Sequence, residues 1–560
     1  MNKKYVIGGV IVACAGIAGW FGVRAVETQT EKAVAEALAV VPAEAREIKY
    51  SLLGNTLTLK GVTYELSDEG FARKGSIDSV EVKGFNRKYV FTKSDAAYNP
   101  ESLPVVAESI AASGIDDTVT LGETTVEQKA GSVRLTGWYQ RLGTLLSLHR
   151  EHRGEAPFFE ELYRCRIDGM EASNVFIKLS EKTMSPVSLS VERIALVEGL
   201  RAPEAGEKTS PVSLGFFGLR GFGKDVSGSL DTLEIRDIRM PEPELVAEFL
   251  KVSKKIDAVS EDDLFGDVGE QIFTEMDRII GEAYQDHMPV GRIFMEGGSL
   301  NFQDTPEEAP AVFEGGSPSV QDAPEEKGAE PAVFSVTMKS FDYRLSMTEP
   351  GASRYVTDLS GLKMTFPKTM EEADLISRYA PDGLTLNASS DSLVSREACS
   401  GKVRYEVEGL GSLEGDMALQ GDLRGLVNAI TSDDRAGLNE FMTSMRLKNV
   451  NVTYRDSGLL PMSVEIAARW GDSTAERELA ELSMLLGKMA KEKERPVREL
   501  GEALLVMFEK PGVMRMVIAP AQPMNFMEAL TLASLNPDEL PLSFSAEPGN
   551  KALRDYLPKQ

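Results

Sequence analysis

The sequence predicts a strand-rich α+β protein in which one or more curved antiparallel sheets carry interspersed amphipathic helices, preceded by a single N-terminal transmembrane helix. Three observations predict it. An uncharged run opens the chain, apolar and polar residues alternate over many short stretches, and a few other stretches repeat every three or four residues. Of the 560 residues 42% are hydrophobic and 26% charged, a globular composition with enough apolar surface for a core.

Tyr5 to Val23 carries no charge and lies between Lys3-Lys4 and Arg24, with Glu27 and Glu31 beyond. As a helix it would span about 28 Å, close to the ~30 Å of a bilayer's hydrocarbon layer. The flanking charges favour a cytoplasmic N-terminus and an exported remainder, and Tyr5 and Trp20-Phe21 fall where aromatic side chains suit the interface. Two other readings stay open. Ala13-Cys14-Ala15-Gly16 supplies the small residues of a cleaved signal, and Ile11-Val12-Ala13-Cys14 resembles a lipidation signal at Cys14. The apolar run continuing from Ala15 to Val23 speaks against both.

Beyond Arg24, Glu27 to Ala45 reads as a polar helix. Ile48, Tyr50 and Leu52, then Leu57 and Leu59, alternate around a Gly54-Asn55 turn, which predicts a β-hairpin. A short theme then recurs: apolar, polar, Gly or Asn, apolar. Its copies are Leu59-Lys60-Gly61-Val62, Val82-Lys83-Gly84-Phe85, Val197-Glu198-Gly199-Leu200, Leu219-Arg220-Gly221-Phe222, Leu359-Ser360-Gly361-Leu362, Val407-Glu408-Gly409-Leu410 and Leu447-Lys448-Asn449-Val450. Gly inside an alternating pattern predicts bulges, bends or close backbone approach in strands, and the irregular spacing of the copies excludes a fixed-period solenoid.

Helical periodicity appears from Phe265 through Val268, Ile272, Met276, Ile279 and Ala283. It appears again from Ser473, where Glu476 completes a capping-box pattern ahead of Leu479, Leu482, Leu486 and Met489. A third helix, Val497 to Lys510, ends at Pro511-Gly512. Strand alternation resumes at Met514, Met516, Ile518 and at Leu542, Phe544, Ala546. Gln303 to Ala332 is rich in Pro, Glu, Gly and Ala and holds a near-duplicate, Gln303-Asp304-Thr305-Pro306-Glu307-Glu308 and Gln321-Asp322-Ala323-Pro324-Glu325-Glu326; it has too little apolar surface to offset the entropy of ordering. The expected organisation is a cytoplasmic stub and anchor at 1–24, exported domains at 25–302 and 333–560, and an acidic linker or loop at 303–332.

Acidic residues outnumber basic ones 87 to 61, a formal charge of −26, which repels phosphate backbones and argues against nucleic acid as a partner. Gly218-Leu219-Arg220-Gly221-Phe222-Gly223-Lys224-Asp225 nearly matches a phosphate-binding loop, but Asp225 stands where Ser or Thr must hold magnesium, and strand-like residues flank it. His149-Arg150-Glu151-His152 sets two imidazoles three apart, with Glu160 or Glu161 as conceivable third ligands; the i,i+4 zincin spacing is missing and Arg150 and Arg153 add positive charge, so a solvated helix end accounts for it. With three histidines in all, and paired carboxylates such as Asp116-Asp117 and Asp433-Asp434 too common to single out, no catalytic, cofactor-binding or metal-binding residues are assigned. Cys165 and Cys399, the expected exported thiols, are compatible with a bridge and equally with two separate buried thiols.

The opening Met1-Asn2-Lys3-Lys4-Tyr5-Val6-Ile7-Gly8 is similar to that of YdgA-like proteins, a bacterial envelope family of unknown function. Ile48 to Val62 resembles the first hairpin of AsmA-like proteins, and Leu447 to Ala546 looks like the end of uncharacterised exported proteobacterial proteins with the same helix, Pro-Gly and strand ending. These resemblances imply an inner-membrane protein, single-pass, with its bulk in the periplasm, and β-grooves of the kind implicated in moving phospholipid; they carry no functional residues across. The expected function is non-catalytic binding or shielding of lipid or another apolar ligand in a β-groove. The alternatives are a scaffold for other envelope proteins through the acidic surface, and a metal-dependent hydrolase using His149 and His152.

Overall fold

The computed structural model describes residues 24–39, 43–68, 71–88, 103–140, 165–181, 184–200, 209–257, parts of 271–279, 289–304, 332–349, 352–370, 372–395, 397–421, 444–471 and 473–557. Nineteen strands are present among them, and strand accounts for 58% against 25% helix. The expectation of an α+β chain behind a transmembrane helix is therefore corrected. The protein is built on a large antiparallel sheet, and no described helix is long and apolar enough to cross a membrane. The Tyr5–Val23 run lies outside the described residues.

Two compact units divide the chain: Met1–Lys224 with Leu230–Arg292, and Asp225–Ser229 with Ile293–Gln560. The boundary falls within strands β9 (Val226–Pro241) and β10 (Val290–Asp304). The linker expected at 303–332 lies almost wholly outside the described residues.

In the first unit β1 (Ala43–Ser51), β2 (Thr56–Asp68), β3 (Phe71–Lys83), β4 (Val105–Leu121), β5 (Thr124–Tyr139), β6 (Arg166–Glu181), β7 (Met184–Glu198) and β8 (Thr209–Phe222) each pair antiparallel with the next. The predicted hairpin is β1–β2, with Tyr50 opposite Leu57 and Asn55 in the left-handed region at φ 44°. Helix α1 occupies residues 24–39, shorter than the predicted 27–45. Ala43 to Ala45 belong instead to β1, where pairing with Tyr64, Thr63 and Val62 overrides their helix propensity.

One feature of these strands accounts for the first copy of the glycine theme, Leu59-Lys60-Gly61-Val62. Apolar residues on one face step by three, not two, at a single level of every strand: Ala45 and Ile48, Leu59 and Val62, Ile77 and Val80, Ala112 and Ile115, Ala130 and Val133, Ala172 and Val175, Val191 and Ile194, Phe216 and Leu219. At that level one residue per strand drops out of the ladder, and on alternate strands it is left-handed: Gly61 (φ 57°), Gly114 (φ 62°), Asn174 (φ 51°) and Gly218 (φ 62°). Because a strand alternates with period two, an extra residue in one strand alone would turn the rest of that strand inside out. All eight strands slip together, so the pairing stays in register on both sides and the apolar face stays apolar. At Gly114 the space a side chain would take is filled by the Asp78 carboxylate. This three-residue step also hides strand from a period-two reading, which is why the sequence understates the sheet.

The first unit's core lies where α1 covers this face. Val34 packs with Tyr50, Leu57, Leu59, Val62, Val82, Phe85 and Ala107, all buried. Glu31 accepts a hydrogen bond from the Tyr50 N–H and Glu27 from that of Leu52, each at 3.0 Å, so α1 also blocks the outer edge of β1 against further strand pairing. Further along, helix α2 (Pro243–Asp257) buries Val252 against Ile272 and Ile279 of the stripe predicted from 265.

The second unit contains β11 (Ala332–Glu349), β12 (Ala352–Thr365), β13 (Leu384–Val394), β14 (Ala398–Val407), β15 (Gly411–Gln420), β16 (Arg446–Asp456), β17 (Val513–Ile518), β18 (Met524–Asn525) and β19 (Leu542–Glu547). Neighbours pair in chain order to β17, after which β19 joins β17 and β18 joins the end of β16. Its helices are α3 (Ala373–Tyr379), α4 (Leu459–Trp470), α5 (Ala475–Met489), α6 (Arg495–Glu509) and α7 (Phe526–Leu535). The N-cap of α5 is Thr474, not the predicted Ser473: its extended backbone lets the side chain accept from the Arg477 N–H at 3.3 Å. Leu479 and Leu486 of the predicted stripe are buried. Helix α6 blocks the β19 edge, with Glu499 accepting from the Phe544 N–H and Arg495 donating to the Leu542 carbonyl.

Candidate ligand-binding face

Residues directly opposite one another in an antiparallel ladder project to the same side. The registers of β11 to β19 therefore sort the second unit's side chains into two faces. One row runs Phe341, Leu359, Ala388, Tyr405, Leu413, Tyr454, Met514, Ala546; the next, Tyr343, Thr357, Ser390, Val403, Gly415, Val452, Met516, Phe544; a third, Leu345, Tyr355, Ser392, Gly401, Met417, Val450, Ile518, Leu542. No residue in these rows carries a charge, and the four tyrosines bring an apolar ring with a polar tip.

Both ends of this face are closed. At one, Leu375 of α3 and Met462 of α4 pack with Leu410, against which Leu384 and Val407 lie. At the other, Leu419, Met445 and Leu447 form a buried cluster with Cys399, Val450 and Ile518 against it. Between the ends the face is open: Val403 is 37% exposed, Tyr405 47%, Leu413 37% and Met417 42%. Contiguous apolar surface of this kind on a sheet marks a binding face or an interface.

The opposite face is polar and largely self-satisfied. Arg354 pairs with Asp391, Arg344 with Asp358, Arg404 with Glu414 and Arg515 with Glu547, while Asn449 and Asn451 both donate to Asp416. These pairs hold the Asp391 and Glu547 carboxyls below the usual range, the guanidinium hydrogen bond being the main cause in each. A cavity of about 540 Å³ lies mainly on this side, between Asp358, Asp391, Lys402, Arg404, Glu414 and Asp416. The first unit's cavity of about 720 Å³ is likewise lined mainly by polar residues, among them Glu44, Lys74 and Asp116. Ion-paired walls of this kind give an apolar ligand nothing to bury against, so the apolar rows, although flatter, are the stronger site.

Burial raises the pKa of the Tyr343 phenol and of the Cys399 thiol. It raises that of Tyr454 as well, with help from the Asp456 carboxylate that accepts its hydroxyl. Asp456 also accepts the Gly458 and Leu460 N–H groups and so fixes the turn from β16 into α4.

The residues weighed from the sequence separate as follows. His149, His152, Glu160 and Glu161 lie outside the described residues. Among those described, no group of three His, Cys, Asp or Glu could hold a metal ion. Cys165 and Cys399 are not joined as a disulfide. The glycine-rich stretch from Gly218 runs from the end of β8 into β9, with no helix following, and its Gly218 is the left-handed residue of that strand. Of the apolar face, the sequence marked Met514, Met516, Ile518, Leu542, Phe544 and Ala546. It missed the rows of β11 to β15, where Ser390, Ser392, Gly401 and Gly415 dilute the alternation.

A family model described as an uncharacterized protein matches residues 404–547, from mid-β14 to the last residue of β19. No curated protein matches the chain.

Proposed function

We propose that the chain binds lipid, or another apolar ligand of that kind, on the apolar face of β11 to β17, without catalysing a reaction. The observation that carries this reading is the open strip around Val403, Tyr405, Leu413 and Met417 between two closed ends. Covering such side chains gains ~25 cal/mol per Å² of apolar surface, and the neighbouring tyrosine tips suit a ligand with a polar end. A bacterial envelope setting, with the bulk of the chain in the periplasm beside the inner membrane, belongs to the same proposal. It is supported by the uncharged N-terminal run and the resemblance to AsmA-like proteins.

The test is extraction of the purified full chain for phospholipid by mass spectrometry, followed by titration of delipidated protein with a fluorescent fatty acid. Bound lipid, lost in Tyr405→Glu and Met417→Glu variants that keep the native circular dichroism spectrum, is expected. A wild-type chain that neither carries nor takes up lipid defeats the proposal.

A further inference from the structure

We propose that the tip of the β1–β2 hairpin is a membrane-surface contact: Leu53 enters the headgroup layer of an anionic bilayer, and Arg24, Arg87 and Lys88 meet its phosphates. This rests on the membrane-side setting proposed above and is independent of the ligand face.

The two glutamates that clamp β1 fix the direction of α1. Glu27 accepts the Leu52 N–H and Glu31 the Tyr50 N–H, so α1 runs antiparallel to β1 and its first turn stands level with the hairpin tip. The uncharged run Tyr5 to Val23 is joined to α1 at Arg24, and the chain therefore enters the first unit at that tip.

Leu53 is 90% exposed, the highest value among the large hydrophobic residues described. The turn does not need it: Gly54 and left-handed Asn55 supply the backbone freedom, and Ser51 Oγ accepts the Gly54 N–H at 3.2 Å. The tip is also fixed in place. Tyr50 donates its hydroxyl to Asn55 Oδ1 at 3.1 Å, the Phe85 N–H donates to the Asn55 carbonyl at 3.3 Å, and the Tyr50 and Phe85 rings meet edge-on at 6.1 Å. These contacts bring the turn after β3 against the tip, and with it the exposed Arg87 and Lys88. The Arg87 charge reaches the Tyr50 phenol, where it opposes the rise in pKa that burial causes. Arg24, exposed as well, pairs with Glu27 at 3.3 Å.

The chain as a whole carries −26, yet the acids of this end are engaged: Glu27 in the clamp, Glu81 with Lys83, and Glu108 over Gly84. Three exposed cations around a projecting leucine, beside an uncharged run, fit a surface that sets phosphate above hydrocarbon. An acidic protein surface would answer the cations and leave Leu53 in water.

The test places the photo-crosslinking residue benzoylphenylalanine in place of Leu53 or of Leu121 in the full chain, reconstituted with vesicles of phosphatidylcholine and phosphatidylglycerol. Leu121, 53% exposed, stands opposite Phe71 at the far end of the strands and serves as the control. After illumination, mass spectrometry of the tryptic peptides is expected to show lipid adducts about tenfold or more abundant from position 53. Arg87→Glu combined with Lys88→Glu, or vesicles of phosphatidylcholine alone, should lower that yield about fivefold or more, with the circular dichroism spectrum unchanged. Equal adducts from the two positions would overturn the contact, as would a crosslink from position 53 to a second copy of the chain in place of lipid. Adducts at position 53 that ignore both the charge reversal and the lipid composition would overturn the role given to the cations. A full chain that fails to float with the vesicles would overturn the membrane-side setting as well. The ligand face is read separately, since Tyr405→Glu should leave the adducts at position 53 unchanged.

Discussion

The β1–β4 end of the first unit and the β13–β16 part of the second are made from the same kind of strand, yet one is a core and the other an open face. Both carry apolar residues in straight rows across several strands, with charged and hydroxyl side chains behind. In the first, α1 lies over the rows, and Leu57, Leu59 and Val62 are buried to 4%, 8% and 5%. In the second, the helices close only the margins and Tyr405 keeps 47% of its surface. Strand pattern alone therefore does not distinguish a core from a binding surface. Cover does, and cover comes from helices outside the sheet.

The sharpest way to break this comparison is truncation on both faces. Leu57→Ala should cost about 2–5 kcal/mol of stability, the usual range for a buried leucine, measured by urea denaturation. Leu413→Ala, on the half-open strip, should cost no more than about 1 kcal/mol, since much of its surface already meets water. Equal losses at the two positions would mean that the strip is covered in solution.

A second test concerns the concerted slip. Gly114→Ala forces a side chain into a left-handed position already filled by Asp78 and should cost about 2–3 kcal/mol, of which ~1–2 is the backbone term. Gly409→Ala, also left-handed (φ 71°) but with no atom within 4 Å of the added Cβ, should show the backbone term alone, about 1–2 kcal/mol. The gap between the two, read from the same denaturation curves, measures the packing at the slip.

A third test uses pH. In the first unit Tyr64 lies across Gly75 and donates to Asp117 at 2.7 Å, and Arg73 also holds that carboxylate, which is 4% exposed. Burial, and then the Asp117 hydrogen bond, push the Tyr64 phenol from 10.0 up to about 12. The unfolded chain loses this proton at lower pH than the folded one. Its contribution is therefore fully present below pH 10 and is lost progressively as pH rises through about 12. Stability followed across that window should fall less steeply in Tyr64→Phe than in the wild type.

The smallest expected effect is at the start of α5. Thr474→Ala removes the hydroxyl that accepts the Arg477 N–H and should cost about 0.5–2 kcal/mol. Ser473→Ala should cost almost nothing, because the buried Ser473 hydroxyl has no hydrogen-bond partner among the described residues. A larger loss at Ser473 would move the cap back to the residue that the sequence pattern singles out.

Local signals were legible in the chain wherever two or three residues sufficed to set the backbone. Gly54-Asn55 marks the first hairpin, Leu479 and Leu486 mark the buried stripe of α5, and Pro511-Gly512 marks the end of α6. The glycine theme was visible too, but its meaning was not. Leu59-Lys60-Gly61-Val62 looks like an interruption in a single strand and becomes a face-preserving step only when the neighbouring strands make the same step. The copy Leu219-Arg220-Gly221-Phe222 shows the limit of the pattern: Gly221 pairs in an ordinary ladder with Leu189, and the left-handed residue is Gly218, three positions earlier. The candidate site was legible only along β17 and β19, where alternation is undiluted.

By itself, then, the sequence determined the antiparallel habit, the positions of the turns, several helices and the acidic character of the chain, because these follow from composition and from neighbours a few residues apart. Only the tertiary structure decided that eight strands slip at one level, that Tyr355, Tyr405 and Tyr454 share a face, and that one set of apolar rows is covered while another is left open. Those facts depend on register between strands and on where the helices come to rest, and chain periodicity carries no information about either.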